Sequence, residues 1–156
     1  MNAWSELPNA KHIDWVLASL KSNIDTWKQS WEQAYSQAYK QALDQAYDQA
    51  RKQAWDQTRY EIWDQAYDQA YDQALDQVSD QAWNQARGQA YEQACDQARI
   101  QVYGVLLALI AYDDCDQYLR MSYSELKTWV LISENSKAIL LLPMVYVKEQ
   151  INECLV

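Results

Sequence analysis

The sequence is poor in the residues that make turns and strands. Its 156 residues include 2 glycines, 2 prolines and no phenylalanine. Chain reversals depend mainly on glycine and proline, which disfavours a fold built from many short strands and tight turns. We therefore predict an all-α protein.

Basic residues are also in short supply. Lysine and arginine number 13 against 22 acidic residues, which gives a net charge of −9. Such a chain has no basic patch with which to bind nucleic acid or an anionic membrane. The longest apolar run, Val102 to Tyr112, is too short to span a bilayer. Residues 1–8 are polar and lack the apolar core of a signal peptide. We expect a cytoplasmic protein without membrane contact.

Histidine and cysteine are too few and too scattered to form a recognisable site. His12 is the only histidine, and we expect it at the surface or at a helix end. Cys95, Cys115 and Cys154 are odd in number and lack metal-ligand spacing, so we interpret them as reduced thiols. No metal site and no cysteine–histidine catalytic pair is predicted.

Phosphate-binding and calcium-binding motifs are missing as well. Gly88 and Gly104 stand alone, without the clustered glycines of a phosphate loop. Asp113, Asp114 and Asp116 do not fit the spacing of a calcium loop, so we interpret them as a solvated acidic helix end. We expect no enzyme activity and no cofactor.

The chain is rich in one four-residue word, repeated from Gln29 to Tyr103. Glutamine fills 18 of 19 slots, and alanine fills 14 of the 19 that follow. The third position is Trp or Tyr in 11 of 19 slots, and the fourth is acidic in 11 of 18. Alanine and glutamine favour helix, and no proline lies between Pro8 and Pro143. The tract is therefore predicted to be helical.

The period of four sets the expected packing. A residue repeated every fourth position drifts about 40° forward per word on an α-helix, which favours right-handed winding over a left-handed coiled coil. Small residues at this spacing allow two helices to cross closely at about −50°. We therefore predict a long period-four helix, arranged as a right-handed coil or as crossed helices. The candidate partner seam comprises Ala34, Ala38, Ala42, Ala46, Ala50, Ala54, Ala66, Ala70, Ala74, Trp55, Trp63 and Trp83.

The aromatic side chains indicate that the tract needs a partner. Each Trp or Tyr can bury about 150–250 Å² of surface, so a solitary helix would expose far too much apolar area. The partner is a second copy, another part of the same chain or a host protein. The word is interrupted near residues 58–62, at 78–79 and at Gly88, but no clear loop signal follows. We expect the tract to continue as one helix.

Shorter helices flank the tract. Residues 1–26 are predicted to hold an amphipathic helix that Asn9 caps. Its apolar face comprises Ile13, Val16, Leu17, Leu20 and Ile24. Residues 27–103 form the tract, and residues 104–156 are predicted to be a small C-terminal helical head. Within the head, Ser122 and Glu125 make a capping box ahead of Leu126, Val130 and Leu131. A last helix near residues 137–154 is kinked or restarted at Pro143.

The C-terminal part carries a resemblance. The segment from Leu107 to Cys115 reads LALIAYDDC, and the later pieces are MS at 121–122, EL at 125–126 and LLLP at 140–143. With the tract before it, this coda resembles that of small phage and bacterial proteins whose low-complexity tract is of A-W-D-A-A-R-D-A-A type. The likeness covers roughly residues 29–148, although this chain uses Gln where those proteins mostly use Ala and carries more Asp than Arg. It implies a phage or prophage setting, and therefore the host cytoplasm, without implying a mechanism.

Three hypotheses about function follow. The first is a non-enzymatic protein that binds, and inhibits or sequesters, a host protein, for instance one of anti-phage defence. The second is an acidic mimic of nucleic acid, because Asp recurs every fourth residue along the tract. The third is a self-assembling scaffold whose oligomer core is the tract. All three give the chain a protein partner, either itself or a host protein.

Overall fold

A computed structural model describes residues 2–34, 37–56, 60–85, 102–133 and 135–154. Every regular element within these ranges is a helix, so the all-α prediction is confirmed. The helices are α1 (Ala10–Ser22), α2 (Ile24–Ala34), α3 (Gln37–Asp56), α4 (Tyr60–Gln85), α5 (residues 102–111), α6 (Asp116–Leu119), α7 (Tyr123–Ser133) and α8 (Ser136–Cys154). Gly88 and Cys95 lie outside the described residues.

The last helix, α8, is central to the packing. It contacts α2, α3, α6 and α7, and its residues 138–145 are buried throughout. Helix α5 is equally apolar, with residues 104–111 all buried. A helix that is apolar on every side belongs in the interior. The helix continues through Pro143, whose ring lies within this buried segment.

The repeat tract reverses direction between α3 and α4. Tyr47 of α3 and Tyr71 of α4 both lie against the ring of Tyr103, with centroid distances of 5.3 and 6.0 Å. On one straight helix these two tyrosines would be about 36 Å apart, at about 1.5 Å per residue. The expectation of a continuous helix is therefore wrong for the described part of the tract. The reversal follows burial, because both helices cover aromatic and alanine surface that a straight rod would expose.

Helix α1 begins and ends close to where the sequence predicts. Its apolar face is buried as expected, and α2 starts at Ile24 after a break at Asn23. Helix α4 packs against α1, and the backbone N–H of Ala3 donates to Gln69 Oε1 at 2.6 Å. The N-terminal helix thus provides the surface against which the second half of the tract folds back.

The predicted cap of α1 is wrong. The side chain of Asn9 makes no capping hydrogen bond to α1. Its Nδ2 instead donates to the carbonyl oxygens of Leu109, at 3.0 Å, and Tyr112. These carbonyls belong to the last turn of α5, where the helix itself offers no partner. Burial makes this long-range use of Asn9 more valuable than a local cap, since an unpaired buried carbonyl is costly.

The thiol of Cys115 serves the same helix end. Its Sγ lies 3.5 Å from the carbonyl oxygen of Ala108 and 3.6 Å from that of Tyr112, to which it donates. Burial raises the pKa of this thiol to about 12, so it remains a protonated donor at neutral pH. The cysteine at the end of the AYDDC segment is therefore explained by the geometry at the C-terminus of α5.

The three predicted regions contribute to one cluster of buried side chains, which includes Trp4, Trp27, Ala50, Leu106 and Leu141. At Gly104, α5 packs closely against Tyr47 and Leu140. A Cβ added there would meet Tyr47 Oη at 2.8 Å and Leu140 Cδ2 at 3.3 Å. The division at residues 26 and 103 stays a prediction. Among the described helices, none is both long and apolar enough to cross a membrane.

Candidate functional site

A groove of about 460 Å³ runs between α3 and α7 above α8. Its walls come from residues 38–49 of α3 and residues 123–131 of α7. Ser136, Ile139 and Leu142 of α8 complete the lining, together with Asn135 just before that helix. Lys127 is the one charged side chain among the described residues that line it.

The α3 wall shows what a period of four does to a helix surface. Gln41, Gln45 and Gln49 are all exposed and offer a row of amide groups along the groove. The alanines change environment along the same stretch, because Ala38 is exposed, Ala42 is half-buried and Ala46 is buried. This progressive burial is expected of a stripe that drifts about 40° around the helix with each four-residue word. The drift turns the alanines from solvent toward the core, and Ala46 is buried while it still lines the groove.

The α7 wall is positioned by the capping box that the sequence predicts. The backbone N–H of Ser122 donates to Glu125 Oε2, and the N–H of Glu125 donates to Ser122 Oγ, both at 3.1 Å. This reciprocal pair fixes the first turn of the helix. Leu126 and Val130 are then buried, as predicted. Leu131 is not, since 77% of it is exposed.

Helix α7 carries an apolar ridge, which we define as Trp129, Leu131 and Ile132. They are 42%, 77% and 75% exposed. Among the described residues, one other large apolar side chain is exposed, Trp55 of α3. Single exposed apolar residues are ordinary, whereas three within four positions of one short helix are unusual. Leu131 belongs to both features, because it also lines the groove.

Polar contacts at the start of α8 fix the position of Asn135, one of the residues that line the groove. Asn135 Nδ2 donates to Tyr118 Oη at 2.6 Å, and its Oδ1 accepts from the N–H of Lys137 at 3.2 Å. Lys137 Nζ pairs with Asp114 at 2.5 Å and lies over the rings of Tyr112 and Tyr118. These contacts fix the start of α8, where Asn135 and Ser136 line the groove.

The predicted alanine seam lies mostly inside the chain. Six of its alanines are buried in the core: Ala46, Ala50, Ala54, Ala66, Ala70 and Ala74. Ala38, Ala42 and Ala46 line the groove. Trp63 stacks on Tyr67 at 5.2 Å, whereas Trp55 is 58% exposed. Ala34 and Trp83 belong to helices, but their side chains lie outside the described residues. A seam with another molecule stays a prediction.

An aromatic cluster joins the two halves of the tract to α5. Tyr67 stacks on Trp63 and Tyr71 and meets the Tyr103 ring edge-on at 5.3 Å. Arg51 Nη2 donates to Tyr103 Oη at 3.0 Å, and this hydrogen bond raises the pKa of the guanidinium. Stacked and edge-on rings at such distances add to the stability that burial gives. The cluster therefore holds α3, α4 and α5 together.

Asp113 and Asp114 after α5 are exposed, as expected for a solvated acidic helix end, and Asp116 is half-exposed. Asp114 and Asp116 are also paired with basic side chains. Asp116 Oδ1 lies 2.5 Å from His12 Nε2, and Asp116 Oδ2 accepts from Arg120 at 3.1 Å. The hydrogen bond from His12 lowers the pKa of Asp116 to about 2. His12 lies in the first turn of α1, which is the helix-end alternative of the prediction. It is buried there, and this burial lowers its pKa. The pair fastens α1 to the coda.

Sequence reasoning missed the ridge. Leu126, Val130 and Leu131 are all apolar, and nothing in the pattern tells which of them α8 covers. The available signal was the run from Trp129 to Ile132, four apolar residues in succession on a short helix. No helix can bury four successive positions on one face, because each advances about 100°.

No known protein family, curated protein or solved structure matches the chain.

Proposed function

We propose that the chain is a non-enzymatic protein-binding module whose docking site is the groove together with the α7 ridge. The observation that carries the proposal is the exposure of Trp129, Leu131 and Ile132 beside a groove of about 460 Å³. Exposed apolar side chains in this number have no reason to persist unless a partner covers them. Helical walls with a small-residue stripe favour a helix as the bound element.

The lining of the groove also favours a protein over a small molecule. Small-molecule sites enclose most of the ligand and place a few polar groups at fixed points. This groove instead offers a row of exposed glutamine amides, one lysine and apolar side chains along its length. Such a surface suits an amphipathic helix, whose apolar stripe is flanked by polar residues.

We further propose that the target is a host protein, for instance one of anti-phage defence, which the module inhibits or sequesters in the host cytoplasm. The resemblance of the coda to phage proteins supports the setting. The right-handed crossing of helices along the period-four stripe belongs to the same proposal. The burial of the alanines from Ala46 to Ala74 supports the close approach of helices that such a crossing needs.

Site-specific photocrosslinking tests the proposal. A photoreactive residue in place of Trp129 is expected to capture a host protein from lysate. The matched position is Asp68, which is exposed on α4 away from the groove lining and is expected to capture nothing in common with Trp129. Adding Leu131→Glu to the Trp129 probe should abolish the specific capture. Equal capture at Trp129 and Asp68, or capture that ignores Leu131→Glu, would contradict the proposal.

An acidic mimic of nucleic acid is the second candidate. Helix α4 carries six acids and no lysine or arginine, with Asp68, Asp72 and Asp76 exposed. Carboxylates four residues apart lie about 6 Å apart along the axis, against about 3.4 Å for phosphates of one DNA strand. The spacing therefore supports this function less well. Competition with DNA for a host DNA-binding protein at low salt tests it, and unchanged DNA binding rules it out.

A further inference from the structure

Basic side chains from three separate parts of the sequence meet around Asp116. Lys11 Nζ lies 3.6 Å from Asp116 Oδ1, and Arg120 Nη2 lies 3.1 Å from Asp116 Oδ2. Lys148 of α8 is close enough to this carboxylate and to Lys11 for their charges to act on its pKa. Burial lowers the pKa of His12, so its imidazole adds no charge at neutral pH. Three positive charges therefore surround one negative charge, in a chain whose net charge is −9.

The ammonium of Lys148 is the least compensated of these charges. Within the part of the chain that the structure describes, it forms no ion pair or hydrogen bond and lies over the ring of Trp15, 5.3 Å from the centroid. The side chain is half-buried, and this burial lowers its pKa. The ring face offsets only part of the cost of burying a charge. The fold thus holds a positive charge where an anion would stabilise it.

The extent of the positive region limits the ligand to a small anion. At physiological ionic strength, charges are screened beyond about 8 Å. A small anion among Lys11, Arg120 and Lys148 is therefore affected mainly by these bases and by Asp116. A polyanion such as nucleic acid or an anionic membrane extends much further and also meets the surface of a chain with net charge −9. Ammonium and guanidinium groups are the usual protein partners of phosphate.

We propose that Lys11, Arg120 and Lys148 form a binding site for the dianionic phosphate group of a small molecule. The site goes beyond the proposed function, because none of these residues lines the groove. A bound dianion neutralises the two excess positive charges and gives Lys148 an anionic partner. Asp116 Oδ2 accepts from Arg120 and so holds the guanidinium at the site. Sequence patterns do not reveal this site, because Lys11 is more than 100 positions from the other two bases.

The imidazole of His12 reports on the site, because it is the only one in the chain and bonds to Asp116. Its titration is followed by NMR in the full chain, in sodium sulfate and in sodium chloride of equal ionic strength. Sulfate stands for the phosphate dianion and keeps its charge throughout the titration. Because a nearby negative charge favours the imidazolium, sulfate is expected to raise the pKa of His12 by about 0.5–1 relative to chloride. Inorganic phosphate and glycerol 3-phosphate, compared at one pH by the same signal, distinguish free phosphate from a phosphate ester.

Lys148→Met separates ligand binding from folding. In chloride it is expected to keep or raise the midpoint of thermal unfolding, because an apolar side chain replaces a half-buried charge. It should abolish the difference between the His12 pKa values in sulfate and chloride. Lys11→Gln changes an exposed side chain and should reduce the same difference.

The matched control is Lys52→Met, which removes an exposed lysine of α3 and should leave the difference unchanged. Circular dichroism checks that each variant stays helical. Equal His12 pKa values in sulfate and chloride overturn the proposal, as does a difference that persists in both Lys148→Met and Lys11→Gln.

Discussion

Helices α3 and α4 repeat the same four-residue word, yet they differ in charge and in the helices they pack against. Helix α3 is neutral and packs on α8, whereas α4 carries six acids and packs on α1. Both bury three successive alanines of the word, Ala46 to Ala54 in one and Ala66 to Ala74 in the other. The alanine and aromatic positions therefore decide packing, and the fourth position is free to set charge.

The two helices also differ in how well their polar atoms are satisfied. Tyr39 Oη of α3 donates to the carbonyl oxygen of Ile139 at 3.4 Å. In α4, Trp63 Nε1 and Tyr67 Oη are buried without a hydrogen-bond partner. Unpaired buried groups cost free energy, so α4 is held less firmly than α3. Helix α4 packs on α1. Helix α1 is in turn attached to the coda by the hydrogen bonds of Asn9 to Leu109 and of His12 to Asp116.

The largest expected effect comes from enlarging the buried alanines. Ala50→Leu in α3 and Ala70→Leu in α4 should each lower the free energy of unfolding by about 1–3 kcal/mol, because neither site has room for a larger side chain. Ala38→Leu is the control and should change it by less than about 0.5 kcal/mol, since Ala38 is exposed. Urea denaturation measures all three. A cost at Ala38 equal to that at Ala50 would show that the stripe packs against something outside the chain.

Loss of the Asn9 side chain should lower the local stability of α4 more than that of α3. Asn9→Ala leaves the carbonyls of Leu109 and Tyr112 without this donor, at a cost of about 1–2 kcal/mol. Hydrogen exchange should then speed up in α1 and α4 and stay slow in α3 and α8. Uniform acceleration in all four helices would mean that α4 is no more dependent on α1 than α3 is.

These contrasts show which features the sequence alone could predict. The capping box of Ser122 and Glu125 is local, as is the apolar face of α1, and both are present where predicted. Asn9 and His12 find partners about 100 residues away, so no local rule could identify them. The reversal between Asp56 and Tyr60 has no glycine or proline to announce it. The exposure of the ridge depends on which side of α7 is covered by α8, which is a tertiary choice.

Removing one tyrosine hydroxyl from each helix tests whether α3 and α4 differ in how fully their buried polar atoms are hydrogen-bonded. Tyr39→Phe in α3 should lower the free energy of unfolding by about 0.5–1.5 kcal/mol, because a buried hydrogen bond is lost. Tyr67→Phe in α4 should leave it unchanged or raise it, because its hydroxyl has no partner in the structure. Thermal denaturation of the two variants beside the wild type gives the comparison. Equal destabilisation by both would show that Tyr67 is hydrogen-bonded in solution.

Acidification should act on the α1 and α4 side first. Burial lowers the pKa of His12 in the folded chain below its ordinary value, so the unfolded chain binds the proton more readily and stability falls as pH drops below about 6.5. Lys11, Lys148, Arg120 and Asp116 surround this imidazole, and the lysines oppose its protonation. Asp116, whose pKa is lowered to about 2, adds a separate loss of stability below about pH 4.

Denaturation by urea at about pH 7 and about pH 5 measures the first loss. His12→Gln is the matched variant, because it cannot be protonated and should show little change over this range. A wild type that loses no more stability than His12→Gln would refute the assignment of the effect to His12.

The smallest expected effect concerns the fourth position of the word, where charge differs. Asp68 of α4 has Asp64 and Asp72 as its neighbours four residues away, so Asp68→Lys replaces two repulsions with two attractions. It should stabilise the chain by about 0.5–1 kcal/mol. Asp48 of α3 instead has Arg51 and Lys52 on one side and Asp44 on the other, so Asp48→Lys should destabilise it by a few tenths of a kcal/mol. Both changes should shrink at high salt, because these side chains are exposed.

Opposite signs at low salt, measured by urea denaturation, would show that one word supports two electrostatic roles. Equal signs would mean that charge at this position is set by something other than its helical neighbours.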